Sequence, residues 1–396
     1  MDQLRIKSQR IIDSVSLSFR RYLFDDIDWN DRLIIITGSR GIGKTTLMLQ
    51  RLKSESGISD RSLYVSMDDL YFSTNTLTEL ADDFVLNGGE YLFADEIHKY
   101  PQWSKEIKNI YDFNPGLKLV LSGSSALEIY QGETDLSRRA SVYHLSELSY
   151  REYLELVHNV KIQTVTLSEI LKDHKKISQE VNQKIKPVKY FKEYLKQGAY
   201  PFIVEGEKKH FNKIESTINV ILENDLPATA NISYRTTVKL KKMMGLIAAS
   251  VPFKPNIKSL SEKVETSRDQ LMMYLDLLEK SGLIRTLRVK GIGTSHLTKP
   301  DKIYLSNPTL MNALNSQANI GNMRETFFLN QLSLKHEVNY PKQGDFLIDN
   351  ELIFEIGGKN KKFEQIKDVK NAWVVSDDLE YGYGKKIPLW QFGLLY

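Results

Sequence analysis

The first third of the chain alternates short apolar runs with stretches of helical periodicity. Apolar runs begin at residues 33, 91, 117 and 142. A short continuous run rich in β-branched residues is typical of a strand that is buried on both faces of a parallel sheet. Helix-forming residues follow the first run at 46–52. The pattern therefore predicts an α/β fold with a doubly wound parallel sheet.

The pattern changes to long helices after residue 150. Between residues 151 and 226, apolar positions recur at helical spacing, for example at Val188, Phe191, Tyr194 and Leu195. This spacing predicts a helical subdomain, and its many lysines are explained by a solvated helix face.

Residues 235–310 combine three helical patterns with two strand patterns. Helices are predicted at 238–250, at 259–265 with Ser259 as its cap, and from Thr266 or Ser267 onward. The last helix buries a stripe and points other side chains outward. The stripe is Leu271, Tyr274 or Leu275, and Leu278, and the outward residues are Arg268, Gln270 and Met273. This order of elements, ending in a β-hairpin, predicts a winged helix.

An alternating pattern near the C-terminus predicts a second hairpin in "DFLIDNELIFEI", which turns at Asp349-Asn350. A three-residue loop would place Asp345 opposite Glu355. Two carboxylates at that separation repel each other, and a divalent cation would remove the repulsion. Asp345 and Glu355 are therefore candidate metal ligands.

Composition limits the classes of protein. With 396 residues we expect two to four domains. No apolar run is long enough to span a membrane, no signal peptide is recognisable, and cysteine is absent, so we expect a cytoplasmic protein. Residues 235–302 hold 14 Lys/Arg against 6 Asp/Glu. An anionic partner such as DNA is expected there, although a solvated face explains the charge too. In a DNA complex, Arg268 and Gln270 would meet base edges, and the phosphates would be neutralised by Lys254, Lys258, Arg285, Arg288 and Lys290. The alternative is that the winged helix packs against other domains or a protein partner.

The strongest signal is "GSRGIGKTT", which lies between a predicted strand and a predicted helix. It fits the phosphate-binding pattern G-x-x-x-x-G-K-[ST], in which backbone N–H groups surround phosphate oxygens. Lys44 would reach the β- and γ-phosphates of ATP, and the Thr45 hydroxyl would ligate Mg²⁺. The predicted ATP-binding residues are Gly38, Ser39, Arg40, Gly41, Ile42, Gly43, Lys44, Thr45 and Thr46.

Two adjacent acids follow the second strand pattern, in "LFADEIH". Asp95 lies where a magnesium-bound water would be held, and Glu96 is placed to orient or deprotonate an attacking water. These acids favour hydrolysis over simple binding. His98 is expected to lie at the surface or to contact the site residues without taking part in catalysis.

Small polar and basic residues follow the third strand pattern. Ser122 or Ser124 would place a hydroxyl near the γ-phosphate or the water. Arg138 and Arg139 precede the fourth strand pattern, and arginine stabilises charge on a transferring phosphoryl group, in cis or from a neighbouring subunit. A solvated arginine pair on a loop is the alternative interpretation.

The order of "GSRGIGKTT", "LFADEI", "LVLSGSS" and "LSRRA" resembles AAA+ ATPases of the archaeal-type prokaryotic group. "GAYPF" and "ILENDLP" look like the helical lid of that group. The resemblance implies that Arg139 is the arginine finger or sensor, with Arg138 as its competitor, and it implies ATP, Mg²⁺ and a possible homo-oligomer.

The C-terminal hairpin resembles the PD-(D/E)XK nuclease core, in which an Asp and a Glu hold Mg²⁺ and a lysine lies two residues after the Glu. Gly357 stands at that lysine position, and Lys359 follows two residues later. We therefore expect a nuclease-like domain without nuclease activity. The alternatives are an active site, in which a bulge at Gly357-Gly358 brings Lys359 closer to Glu355, and an ordinary hairpin with charged ends.

These patterns predict four domains and a function that couples ATP to the C-terminal half. The domains are a P-loop AAA+ ATPase core (1–148), a helical lid (149–234), a winged helix (235–310) and a nuclease-like α+β domain (311–396). We expect hydrolysis of Mg·ATP, coupled to the C-terminal domains and acting on DNA through the winged helix. The alternatives are a nucleotide-gated DNA- or protein-binding regulator with little turnover, and an ATP-dependent nuclease.

Overall fold

The computed structural model describes residues 1–54, 61–123, 136, 138–230, 232–250, 254–289, 299–315 and 318–396. The chain divides into two compact units. The first contains residues 1–146 and 223–232, and the second contains residues 147–222 and 233–396. The predicted division into four domains is finer than this and stays a prediction.

A parallel sheet forms the centre of the first unit. Within the described residues its strand order is β2-β3-β4-β1-β5. The strands are β1 (Leu33–Thr37), β2 (Ser62–Ser66), β3 (Tyr91–Asp95), β4 (Lys118–Gly123) and β5 (Ser141–His144). Each pairing is parallel, so the carboxyl ends of the strands share one edge. Every residue of β1 is buried, and the predicted α/β fold with a parallel sheet is confirmed.

Helices and short turns complete the first unit. The helices are α1 (Asp2–Ser14), α2 (Leu23–Asp26), α3 (Lys44–Ser54), α4 (Leu77–Leu86) and α5 (Trp103–Phe113), and 3₁₀ turns cover Leu70–Ser73 and Ile97–Lys99. A capping box fixes the start of α4, because the Thr76 hydroxyl accepts from Glu79 N and the Glu79 carboxylate accepts from Thr76 N. Leu80, Phe84 and Ile107 then join the hydrophobic core.

Residues 223–232 belong to the first unit, although the chain before and after them belongs to the second. Ile221–Asp225 forms a π-helical turn, and Leu226–Ala230 forms a short α-helix. Asp225 and Leu226 are buried. A π-helical turn is rare and is frequently found at a functional site.

The second unit is mainly helical in its first part. Its helices are α6 (Tyr150–His158), α7 (Leu167–Lys184), α8 (Pro187–Gln197), α9 (Glu207–Val220), α10 (Tyr234–Ser250), α11 (Ile257–Val264), α12 (Arg268–Lys280), α13 (Pro308–Leu314) and α14 (Ile320–Leu332), with 3₁₀ turns at Pro201–Glu205 and Leu389–Leu394. On α8, Phe191, Tyr194 and Leu195 are buried, as their spacing predicts. In the described part of the chain, no helix is both long and apolar enough to cross a membrane.

The described residues of the second unit form two sheets. One pairs β6 (Ile284–Leu287) with β7 (Lys302–Leu305) in antiparallel orientation. The other has the order β12-β11-β10-β9-β8 among the described residues. Its strands are β8 (Val338–Asn339), β9 (Phe346–Ile348), β10 (Leu352–Gly357), β11 (Ala372–Ser376) and β12 (Lys386–Pro388).

The starts of α11 and α12 test the predicted caps. Ser259 does not cap α11: its backbone N–H donates to Asn256 Oδ1, at 3.1 Å, and Asn256 is the cap. The buried residue Ile257 explains the earlier start, because it continues the apolar stripe of that helix. Ser267 caps α12 by accepting from Gln270 N, which agrees with one of the two predicted starts.

Candidate nucleotide-binding site

The loop between β1 and α3 has a backbone that requires glycine at its first position. Gly38 has a φ of +143°, and a Cβ there would lie 2.3 Å from the backbone oxygen of Leu145. Gly41 and Gly43 also have positive φ. The loop leads directly into α3, which begins at Lys44. Backbone N–H groups at a helix N-terminus form a favourable site for phosphate.

Lys44 folds back onto this loop. Its Nζ donates to the carbonyl oxygens of Gly38 and Ser39, each at 2.8 Å. Burial lowers the pKa of Lys44, and the carboxylates of Glu96 and Asp95 oppose that effect. Phosphate oxygens entering the loop would offer charged acceptors in place of these two carbonyls.

Arg21 supports the loop and was not predicted from the sequence. Its guanidinium is buried and donates to the carbonyl oxygens of Ile42 and Ser146, the second at 2.7 Å. These contacts join the glycine-rich loop to the chain that follows β5. Arg21 precedes β1 in a stretch of mixed polar and apolar residues without a motif, so its role is visible only in the folded chain.

Asp95 is held by hydroxyl groups from three neighbouring elements. Its Oδ2 accepts from Thr45 Oγ1 at 2.6 Å and from Tyr64 OH at 2.8 Å, and its Oδ1 accepts from Ser122 Oγ. The strand order explains this meeting, because β4 lies between β1 and β3 while β2 flanks β3 on the other side. Hydroxyl and carboxylate oxygens are ligands that Mg²⁺ prefers, so Thr45 and Asp95 fit that ion.

Tyr64 is a second site residue that the sequence did not reveal. It lies on β2 and is buried. Burial and the adjacent Asp95 carboxylate raise the pKa of Tyr64 well above its usual range. The phenol therefore stays protonated and donates to Asp95. Its position inside an apolar strand pattern favours a core residue, which hides this role.

Glu96 and His98 form a pair next to Asp95. Glu96 has a left-handed backbone with φ 55°, and its Oε2 lies 3.4 Å from His98 Nε2. Its backbone N–H donates to Ser122 Oγ at 3.2 Å. His98 is buried, so the expected surface position is wrong and the expected supporting position agrees with the structure. Burial lowers the pKa of His98 to about 4.

Asp225 reaches the glycine-rich loop from the distant segment 223–232. Arg40 Nη1 lies 3.2 Å from Asp225 Oδ1 and 3.3 Å from Asp225 Oδ2. The resemblance to a lid motif drew attention to "ILENDLP" but identified no site residue within it. A carboxylate 185 positions away in the chain has no local pattern that links it to Arg40.

The predicted arginines lie away from this cluster. Arg139 pairs with Asp112, with Nε to Oδ1 at 3.0 Å and Nη2 to Oδ2 at 3.1 Å. Both arginines precede β5, whereas the glycine-rich loop follows β1, and the two strands are parallel. Arg138 and Arg139 therefore lie at the opposite edge of the sheet from Lys44. In this conformation they do not reach a nucleotide that is bound at Lys44 of the same chain. Ser124 lies outside the described residues.

The candidate metal residues of the second unit are paired with lysines. Phe346 pairs with Phe354, so Asp345 and Glu355 follow as the next positions across the hairpin. Lys361 Nζ contacts Glu355 Oε1, and Lys302 Nζ lies 3.8 Å from Asp345 Oδ1. Lys359, the lysine that the sequence singled out, is exposed. Burial, followed by the nearby Glu325, raises the pKa of Asp345 to about 6.

Several predicted phosphate contacts of the basic segment are engaged inside the second unit. Arg285 Nη2 lies 3.6 Å from the buried Glu147 carboxylate, and Arg288 Nη1 lies 3.9 Å from Glu279. The ammonium of Lys254 lies 5.5 Å from the centre of the Tyr340 ring. Lys258 is exposed, as are Arg268 and Gln270 on α12. Lys290 lies outside the described residues.

Family comparisons agree with this geometry. Residues 30–154 match the family model described as "AAA domain", and residues 188–322 match a domain of unknown function, DUF8612. The glycine-rich loop, the parallel sheet and the Asp95 cluster all lie in the first match. This match supports the coarser part of the predicted class, a P-loop ATPase of the AAA type.

Relatives of similar length carry no functional description. An uncharacterised protein of Methanocaldococcus jannaschii is 29% identical, over 89% of this chain and 82% of its own length. An uncharacterised protein of Haemophilus influenzae is 26% identical, over 73% of this chain and 71% of its own length.

Among solved structures, PCH-2 of C. elegans matches with a TM-score of 0.26 and 15% identity, over 70% of this chain and 66% of that chain. The Hsp104–ADP complex of S. cerevisiae matches with a TM-score of 0.31 and 16% identity, over 69% of this chain and 40% of that chain. The present chain thus spans less than two thirds of either solved chain.

Proposed function

We propose that the protein is an ATPase that hydrolyses Mg·ATP. The observation that carries this proposal is the meeting of Lys44, Thr45 and Asp95 at one end of the sheet, with Thr45 Oγ1 2.6 Å from Asp95 Oδ2. A P-loop lysine, a metal-binding hydroxyl and a metal-binding carboxylate are the groups that phosphoryl transfer from ATP requires. Mg²⁺ held by Thr45 and Asp95 would neutralise charge on the β- and γ-phosphates.

The remaining residues have distinct roles in this proposal. Lys44 exchanges its two carbonyl acceptors for phosphate oxygens. Glu96 orients or deprotonates the attacking water, for which its carboxylate turns away from His98. Ser122 fixes both acids, since its hydroxyl donates to Asp95 and accepts from the Glu96 backbone. Arg139, with Arg138 as its competitor, stabilises the charge of a neighbouring subunit's nucleotide in a homo-oligomer.

Phosphate release by the purified full-length chain tests the proposal. Glu96→Gln should reduce turnover by about 100-fold or more and leave ATP binding intact, because general-base catalysis contributes about 10²–10⁴-fold. Lys44→Ala should abolish binding. Glu90→Gln is the matched control: Glu90 is an acid at the opposite end of the same strand, partnered with Arg61. Turnover that survives Glu96→Gln supports the alternative, in which ATP is a ligand of a regulator with little turnover.

For the output of the ATPase, we propose DNA binding through α10–α12 and the β6–β7 pair, interpreted as a winged helix. This element order and the exposed Arg268 and Gln270 on α12 support it. The affinity for duplex DNA should fall linearly with log salt. Arg268→Ala with Gln270→Ala should weaken binding, whereas Lys280→Ala, at the far end of α12, should not. If the chain shows no salt-dependent binding to DNA, a protein partner for these elements is favoured.

We propose that the hairpin of β9 and β10 is nuclease-like without nuclease activity. The supporting observations are the ammonium group of Lys361, which contacts Glu355, and that of Lys302, which lies 3.8 Å from Asp345 and 3.1 Å from Glu325. A divalent cation at this acid pair would have to compete with these ammonium groups. Incubation with duplex and single-stranded DNA in Mn²⁺ or Mg²⁺ tests this, and cleavage that Asp345→Ala removes would establish the nuclease alternative.

A further inference from the structure

Arg40, in the glycine-rich loop, forms an ion pair with Asp225. The Asp225 side chain is 7% exposed, and the Arg40 side chain is 29% exposed. A carboxylate this buried is costly unless it is paired, and Arg40 is one group that compensates its charge.

The charges of Arg40 and Asp225 also influence the groups that surround the proposed phosphate position. Both groups act on the pKa of Lys44, which Arg40 lowers and Asp225 raises. Both also act on His98, the partner of Glu96. A terminal phosphate next to Lys44 would attract the Arg40 guanidinium, which binds phosphate oxygens in a bidentate manner, and would repel the Asp225 carboxylate.

We propose that Arg40 and Asp225 make the site discriminate between nucleoside triphosphates and diphosphates. This rests on the proposed function, because it assumes that phosphates bind at Lys44. Without a terminal phosphate, Asp225 holds Arg40. In the triphosphate complex Arg40 turns to the terminal phosphate, and Asp225 loses its arginine. A diphosphate lacks that group and leaves the pair closed.

The proposal gives segment 223–232 a role as the reporter of nucleotide state. The chain enters the segment from residue 222 and leaves it to residue 233, and both residues belong to the second unit. Loss of the ion pair removes a contact that holds the segment to the loop. Binding of a triphosphate therefore acts on a stretch that is covalently continuous with the second unit at both ends.

Calorimetric titration with Mg²⁺ and either ADP or a non-hydrolysable ATP analogue tests the discrimination. Asp225→Asn should tighten binding of the analogue by about tenfold and that of ADP by less than about twofold, because a competitor for Arg40 is lost. Arg40→Ala should weaken binding of the analogue, and Asp225→Asn should then have no further effect. Glu223→Gln removes the same charge from an exposed position of the segment and should change neither affinity.

The outcomes separate this proposal from the ATPase proposal. Wild-type protein that binds neither nucleotide contradicts the proposed function itself. Two outcomes overturn the discrimination and leave the proposed function standing. In the first, Asp225→Asn changes the affinities for the analogue and for ADP equally. In the second, Asp225→Asn has the same effect in the Arg40→Ala variant as in the wild type. Amide hydrogen exchange of the wild-type chain gives a test without substitutions: the analogue, and not ADP, should accelerate exchange within 223–232, and equal exchange in both complexes would overturn the release of the segment.

Discussion

Acidification should charge His98 only far below the usual range of histidine. His98 is buried beside Glu96 in the first unit, and burial lowers its pKa from the ordinary value of 6.5 to about 4. This value includes the effect of Asp225, which raises the pKa, and of the cations Lys44, Lys99 and Arg40, which lower it. His98 is therefore neutral at pH 7 and is not a cationic partner for Glu96.

The lowered pKa has a consequence for stability with a definite sign. The unfolded chain takes up the His98 proton as the pH falls through 6.5, whereas the folded chain resists it until about pH 4. The contribution is thus complete above pH 6.5 and is lost as the pH falls towards 4. At about 1.36 kcal/mol for each pKa unit, the loss of unfolding free energy reaches about 2 kcal/mol at pH 5.

Two measurements test this account of His98. In an NMR titration, the histidine signal that disappears in His98→Gln should not shift between pH 8 and pH 5.5. In urea titrations at pH 7 and pH 5, the wild-type free energy of unfolding should fall by about 2 kcal/mol more than that of His98→Gln. Contributions from all other groups cancel in this comparison. A His98 signal that titrates near pH 6.5 would refute the reasoning, as would equal pH dependence of the two proteins.

Three substitutions probe other contacts of the fold and the site. Gly38→Ala should destabilise the chain by about 2–3 kcal/mol in urea titrations, since its Cβ would meet Leu145 O, whereas Gly88→Ala, with positive φ but open space, should cost about 1 kcal/mol. Tyr64→Phe should weaken Mg²⁺-dependent nucleotide binding by about tenfold in calorimetry, because the Asp95 carboxylate loses a hydrogen bond. Nucleotide binding without Mg²⁺ should be unchanged. An equal loss of affinity with and without Mg²⁺ would contradict this role. Lys361→Met should reduce the free energy of unfolding by about 2 kcal/mol, a value discounted for the partly exposed lysine, and should lower the thermal unfolding midpoint. Adding Glu355→Gln should restore most of this stability. No recovery in the double variant would contradict the ion-pair account.

Local patterns predicted the elements that carry the phosphate-binding motif. The continuous apolar run identified β1 with its observed bounds, and the predicted helix 46–52 lies within α3, which begins two residues earlier, at Lys44. The second run identified β3, which extends one residue further than predicted, to Asp95. Such features depend on neighbours in sequence, so sequence alone suffices to find them.

Contacts between distant positions were not predictable in the same way. No periodicity specifies that β4 lies between β1 and β3, although this order brings Ser122 to Asp95. Tyr64 and Arg21 have ordinary local surroundings, and their hydrogen bonds depend on the tertiary arrangement. The lysine that reaches Glu355 is Lys361 and not Lys359, because the chain after β10 turns and returns a later side chain to the strand. The roles of these residues in catalysis and binding remain predictions.

The discontinuity of the first unit sets a temporal order for its synthesis. Residues 223–232 complete this unit, yet 77 residue steps separate Ser146 from Glu223 (223 minus 146). At about 5–20 residues per second, a ribosome needs roughly 4–15 s to cross that interval. A nascent chain therefore presents the glycine-rich loop before Asp225 exists to pair with Arg40. The first unit begins to fold with an unfinished phosphate-binding site, and a fragment that ends near residue 148 would retain that unfinished site permanently.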